Sequence, residues 1–164
     1  MITPKSSDEL NLLSSSLLFL TTLNNGLENI LGTAAKGVIL NAGLVEGRFI
    51  AKNFPRTKFI EKAIDIVNNA FKGVWDVELF KPKDKDDYFY TNDNGLPSVN
   101  VIIRNCPIRQ AVLTYNLKQG EPLCYLTNGY LIGMISEITG LRMGLDMLHH
   151  GPNACLKQLY HRKR

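Results

Sequence analysis

Leu10, Leu13, Leu17 and Leu20, with Leu23 beyond, recur at spacings of three and four and predict an apolar stripe on a helix from about Asp8 to Leu23. Ser7, followed by Asp8 and Glu9, supplies its start signal. Leu12 and Phe19 add apolar surface off that stripe, which suits either a dimer interface or a core helix covered on two sides. A second long helical region runs from Asn25 to Phe54 and carries Gly26, Gly32, Gly37, Gly43 and Gly47, more glycine than helix propensity alone favours. Gly43 and Gly47 lie four apart on one face and permit close approach by another helix, a sheet backbone or a flat ligand. Pro55 ends this region, and Phe59, Ala63, Ile66, Ala70 and Phe71 outline a third, amphipathic helix that stops near Gly73.

Beyond Gly73 the period changes to two. Trp75, Val77 and Leu79 alternate with Val74, Asp76 and Glu78, the pattern of a half-buried strand. Lys81 to Asp87 is a charged loop, Tyr88 to Thr91 a short strand, Asn92 to Gly95 a turn and Ser98 to Arg104 a β-branched strand, together an antiparallel meander. Pro107 to Asn116 reads as a short helix or an irregular crossover. Glu121-Pro122 opens a strong helix carrying Cys124, Leu131, Ile135 and Ile138 and ending at Gly140. Arg142 to His149 and Ala154 to His161 close the chain as a hairpin through His150-Gly151-Pro152-Asn153. Helices first and antiparallel strands after predict an α+β fold, with long N-terminal helices and helices covering a sheet of about four to five strands.

A length of 164 residues, 45% hydrophobic and 21% charged, suits one domain over residues 1–164 with a real core. The longest apolar stretch, Leu12 to Leu23, is broken by Ser14, Ser15, Ser16, Thr21 and Thr22, so no membrane span is expected. Met1 to Glu9 lacks the succession of a secretion signal, and the expected location is the cytoplasm. The net charge of +4 is scattered except at His161-Arg162-Lys163-Arg164, a solvated chain end or a phosphate- or nucleic-acid-binding arm. With no continuous basic stripe, nucleic acid is not an expected partner.

The chain has no G-x-x-x-x-G-K-[ST], G-x-S-x-G, H-E-x-x-H or C-x-x-C sequence, so common catalytic frameworks are absent and the balance leans away from an enzyme. Cys155 with His149 or His161 satisfies a thiol-and-base pair on paper, but on a hairpin it lacks an evident oxyanion hole. Cys106, Cys124 and Cys155 are either small buried hydrophobes or metal ligands. In the second case His149 faces back toward Cys155, Cys124 approaches from the preceding helix, and Cys106, His150 or water completes a tetrahedral zinc site.

Asn105-Cys106-Pro107, Glu121-Pro122-Leu123-Cys124-Tyr125, Gly129-Tyr130-Leu131-Ile132-Gly133, Gly140 and Gly151-Pro152-Asn153-Ala154-Cys155 resemble the C-terminal half of the 4-vinyl reductase domain family. The glycine-spotted second helix resembles its N-terminal half. The resemblance implies a fold related to the small trafficking subunits of the TRAPP complex, a homodimer, and an apolar cavity such as senses aromatic effectors in phenol-responsive regulators. It also implies zinc held by cysteines at the positions of Cys124 and Cys155 and by a Glu-x-x-Cys pair. That pair falls here on Gly144 and Met147, so this chain either has lost the metal or rebuilds the set with His149, His150 or Cys106. The expected function is a ligand-binding or sensory domain for a hydrophobic or aromatic small molecule, zinc-stabilised and dimeric, with a partner to carry its output. Phe49, Trp75, Tyr125 and Tyr130 are candidate pocket walls if they are not simply core. The competing expectations are an enzyme or accessory factor in tetrapyrrole or cofactor metabolism, and a structural dimerising adaptor.

Overall fold

A computed structural model describes residues 15–16, 19–20, 22–23, 26–72, 74–114, 116 and 122–162. The stripe residues Leu10, Leu13 and Leu17 of the expected first helix, the helix-flanking Gly73 and Glu121, and the tail residues Lys163 and Arg164 lie outside them. The elements are α1 (Ala34–Ala51), α2 (Ile60–Ala70), β1 (Asp76–Phe80), β2 (Phe89–Thr91), β3 (Pro97–Arg104), α3 (Pro107–Thr114), α4 (Pro122–Thr139), β4 (Met143–His150) and β5 (Cys155–His161). This is the α+β class expected, a five-stranded antiparallel sheet covered by helices.

The glycine-rich region is not one helix. Residues 26–31 are helical, but Gly32 takes a left-handed φ of 55°, a conformation L side chains adopt only at a cost, and the chain restarts as α1 two residues later. α1 then seats on α4 through reciprocal notches. A methyl group at Gly43 would overlap the Leu126 carbonyl oxygen, one at Gly47 that of Tyr130, one at Gly129 that of Leu40 and one at Gly133 that of Leu44. The two backbones meet where no side chain intervenes. α4 is apolar on nearly every side and fills the middle of the molecule, with Leu131, Met134, Ile135 and Ile138 fully buried. It ends at Gly140, whose φ of 72° is the left-handed turn of a helix C-terminus.

The sheet runs in the order β1-β3-β5-β4, with β2 also on β3. β1 pairs with residues 100–104 of β3 and β2 with residues 97–99, while β5 pairs with residues 98–103 from the other side. β1 and β2 therefore lie end to end along one edge of β3, which corrects the expected meander: residues 81–88 are an excursion from a single edge, not a turn between neighbouring strands. That edge is blunted by Asn68 of α2, whose side-chain amide donates to the Val77 carbonyl at 2.7 Å and accepts from the Val77 N–H at 2.8 Å. The two bonds also fix the start of β1, and with it Trp75.

In the β4–β5 hairpin the register shifts between Met147 and His149, so Leu148 is the extra residue of a bulge. Before the bulge Met147 faces Lys157; after it His149 faces Leu156 and His150 faces Cys155. The parity of the two histidines is set by this one inserted residue.

Candidate ligand site

Two cavities adjoin on either side of Thr127 in α4, which lines both. The larger, about 240 Å³, is walled by Ile50 at the end of α1, Phe71, Val74 and Trp75 between α2 and β1, Pro107 and Ile108 at the start of α3, and Leu126, Thr127 and Tyr130 of α4. Such a volume is below the roughly 300–1,000 Å³ typical of drug-sized ligands and suits a single ring with a small substituent. Its wall is almost wholly apolar. Trp75 is 5% exposed, and its indole N–H has no hydrogen-bond partner among the described residues. A buried donor left unmade costs about 1–3 kcal/mol. The ring is held by its N-terminal turn, where the Trp75 backbone N–H donates to the Phe71 carbonyl at 3.1 Å, and by the Phe71 ring 5.7 Å away. Burial pushes the pKa of the Tyr130 hydroxyl up, assisted by the Glu46 charge, so this phenol stays protonated.

The floor of the cavity at α3 is placed by an unusual turn. Asn105 takes a left-handed φ of 52°, which asparagine tolerates better than most residues, and its side chain donates to the Asp76 carboxylate. The first turn of α3 is thereby tied to the start of β1, next to Trp75.

The smaller cavity, about 10 Å³, is large enough for one water molecule. Cys106, Cys124, Cys155 and His150 all line it, joined by Met147, Arg109 and Lys157. All three cysteines are thiols. Lys157 is 2% exposed and donates to Asn128 Oδ1 at 2.5 Å. Burial pushes its pKa down, and Cys106, Cys155 and Cys124 act against that shift. Arg109 is also buried; its guanidinium donates to the Ile103 carbonyl at 3.3 Å, and its Nε has no partner among the described residues. The rim residue His150 has its pKa lowered by burial, then by the charges of Lys157 and His149.

The sequence-derived site residues divide accordingly. Trp75 and Tyr130 meet in the larger cavity, whereas Phe49 is 62% exposed on the outside of α1 and Tyr125 lies beneath Lys36, 5.8 Å from its ring centroid. Cys106, Cys124, Cys155 and His150 meet in the smaller one; His149 does not, because the bulge turns it to the opposite face. His161 stands at the other end of β5 from Cys155, about 20 Å along an extended strand. Neither thiol-and-base pair considered from sequence is assembled. Gly144 also faces away from the cysteines, with the Tyr160 ring lying across it.

Zinc, which the family resemblance implies, wants soft donors and negative charge around a closed tetrahedron. The donors here have the right softness, but the same cavity contains a lysine amine and an arginine guanidinium and no carboxylate. Among the described residues no three of His, Cys, Asp and Glu are disposed to hold a metal ion. The residues present do not fit that ion.

Sequence reasoning missed Arg109 and Lys157. A signal for Lys157 existed: Cys155, Lys157 and Leu159 share one parity of β5, so a lysine stands at a core position.

No helix among the described residues is long and apolar enough to cross a membrane. No family model matches the chain, and no curated protein matches it. Among solved structures it is similar to the phenol-responsive sensory domain of the transcription activator PoxR, crystallised with phenol, at 18% identity and a TM-score of 0.61 over 88% of this chain and 74% of that one. The likeness is one of fold.

Proposed function

We propose that this chain is a sensory domain that binds one small hydroxylated aromatic molecule in the cavity beside Trp75. The observation that carries the proposal is the ring-sized, almost wholly apolar cavity walled by Trp75, whose buried indole N–H has no partner among the described residues. An apolar ring supplies the burial and a hydroxyl oxygen accepts the waiting hydrogen bond. The fold shared with a phenol-responsive domain supports the same reading, and the residue pattern from Asn105 to Cys155 is the ground on which membership in the 4-vinyl reductase domain family is proposed. Trp75 is the single tryptophan of the chain, so intrinsic fluorescence reports on the site without a label. Titration with phenol is expected to change that fluorescence saturably at sub-millimolar concentration, with matching heat in calorimetry. A flat response in both rejects the proposal.

The domain acts as a homodimer in this reading. Val38, Val45 and Phe49 follow one another along the outer face of α1, opposite the face seated on α4, and all three are more than half exposed. Exposed apolar residues at helical spacing over this length are the signature of a partner helix. The full chain is expected to scatter light as a dimer, and Val45→Lys with Phe49→Lys to scatter as a monomer of unchanged helicity. A double variant that keeps the dimer mass rejects this interface.

A further inference from the structure

We propose that Lys157 takes the place of a metal ion in the small cavity, so that the thiols of Cys106, Cys124 and Cys155 gather around an amine supplied by the chain itself and the protein folds without zinc. Lys157 projects from β5 on the same face as Cys155, two residues away, and is the direct cross-strand neighbour of Met147. Its amine is within electrostatic reach of all three cysteines and is anchored by Asn128 of α4 at 2.5 Å. Strand and central helix are thus joined through this one nitrogen, the mechanical task a structural metal performs between its ligands.

The space and the chemistry of the lining both oppose a metal ion. The room left is about 10 Å³. A zinc ion there would have to displace the amine, and Arg109 on α3 would still face it from the same cavity wall. The groups facing Lys157 are the three cysteines, Asn128, His150 and Arg109, and among the described lining residues no carboxylate stands by to offset an added divalent charge. The implied ligand positions agree: Gly144 points out of the cluster and Met147 offers only a thioether.

The test is direct metal analysis and Co²⁺ titration of the reduced full chain. Wild-type protein is expected to contain no stoichiometric zinc and to develop no thiolate-to-cobalt charge-transfer absorption. Lys157→Ala removes the internal amine while leaving three thiols and an imidazole, and is expected to go from no bound Co²⁺ to about one per chain, with that absorption, and to lose it when Cys155→Ser is added. If Lys157→Ala does not fold in metal-free buffer, refolding is expected with Zn²⁺ present and not without it. One zinc per wild-type chain that disappears in Cys155→Ser, cobalt–thiolate absorption in wild type, or a Lys157→Ala chain neither binding Co²⁺ nor rescued by Zn²⁺ would each overturn the proposal.

Discussion

Gly129→Val is expected to lower the melting temperature by roughly 6–12 °C, the equivalent of about 3 kcal/mol in a domain of this size. The added Cβ would meet the Leu40 carbonyl oxygen, the Leu44 nitrogen at 2.7 Å and the Gly43 carbonyl carbon at 3.0 Å, all of them backbone. A flexible side chain could swing away, but helix backbone cannot without moving the whole of α1. Moving α1 strips cover from the central helix and carries Ile50 and Gly47 away from Tyr130, so the ligand cavity should open as stability falls. Gly37→Ala is the control on the other helix of the pair: it lies in α1, with nothing within 4 Å of its Cβ, and is expected to stabilise by about 0.5–1 kcal/mol. Opposite signs from two helical glycines, one in the α1–α4 contact and one outside it, separate close approach from helix propensity. Thermal melts followed by circular dichroism decide it, and a Gly129→Val protein melting with wild type would mean that α1 does not sit on α4 in this way.

That contrast also shows where the chain was legible. The spacing of Gly43 and Gly47 announced a close approach but did not distinguish a helix from a ligand, since the information lies in the matching Gly129 and Gly133 some eighty residues on. The apolar period of α2 and the alternation of β1 were visible because each buries one face against the core, and periodicity records that asymmetry; α4, apolar on nearly every side, was legible from its start at Pro122 and its stop at Gly140, β3 from its β-branched residues and β5 from the turn before it. The break at Gly32 was hidden among equivalent glycines. The position of β2 was hidden for a different reason: residues 89–91 read as a strand, but nothing local says whether a strand lies beside its predecessor or beyond its end.

Within the site, the three cysteines were visible as residue types and their convergence was not. It depends on β5, α4 and the Asn105 turn delivering Cys155, Cys124 and Cys106 to one point. The exchange of His149 for His150 follows from a one-residue bulge, the smallest change that reverses which face a side chain occupies. Most instructive is Lys157. A charge on the inward parity of a strand breaks the local rule, and such breaks gather where a fold does something other than pack.

Trp75→Phe is expected to weaken phenol binding by about 5- to 150-fold, the range corresponding to a lost buried hydrogen bond of roughly 1–3 kcal/mol. Phenylalanine keeps an aromatic ring between Phe71 and the cavity but has no N–H to offer. Phenol bound in the variant would bury its hydroxyl beside Pro107, Ile108 and Leu126 with no donor in place of the indole. The smaller ring also changes the cavity volume, which would weaken any ligand, so the informative quantity is a difference between ligands. Benzene has the same ring and no hydroxyl; its affinity should respond to the volume change alone. Wild type is therefore expected to prefer phenol to benzene by a margin that collapses in Trp75→Phe, and calorimetric titration of both ligands into both proteins closes the cycle. If the preference for phenol survives the substitution, the hydroxyl is read by another group, and Tyr130, which also lines the cavity, is the residue to change next. If the preference is absent in wild type as well, the cavity recognises shape alone, and the unpaired indole serves some purpose other than reading a hydroxyl.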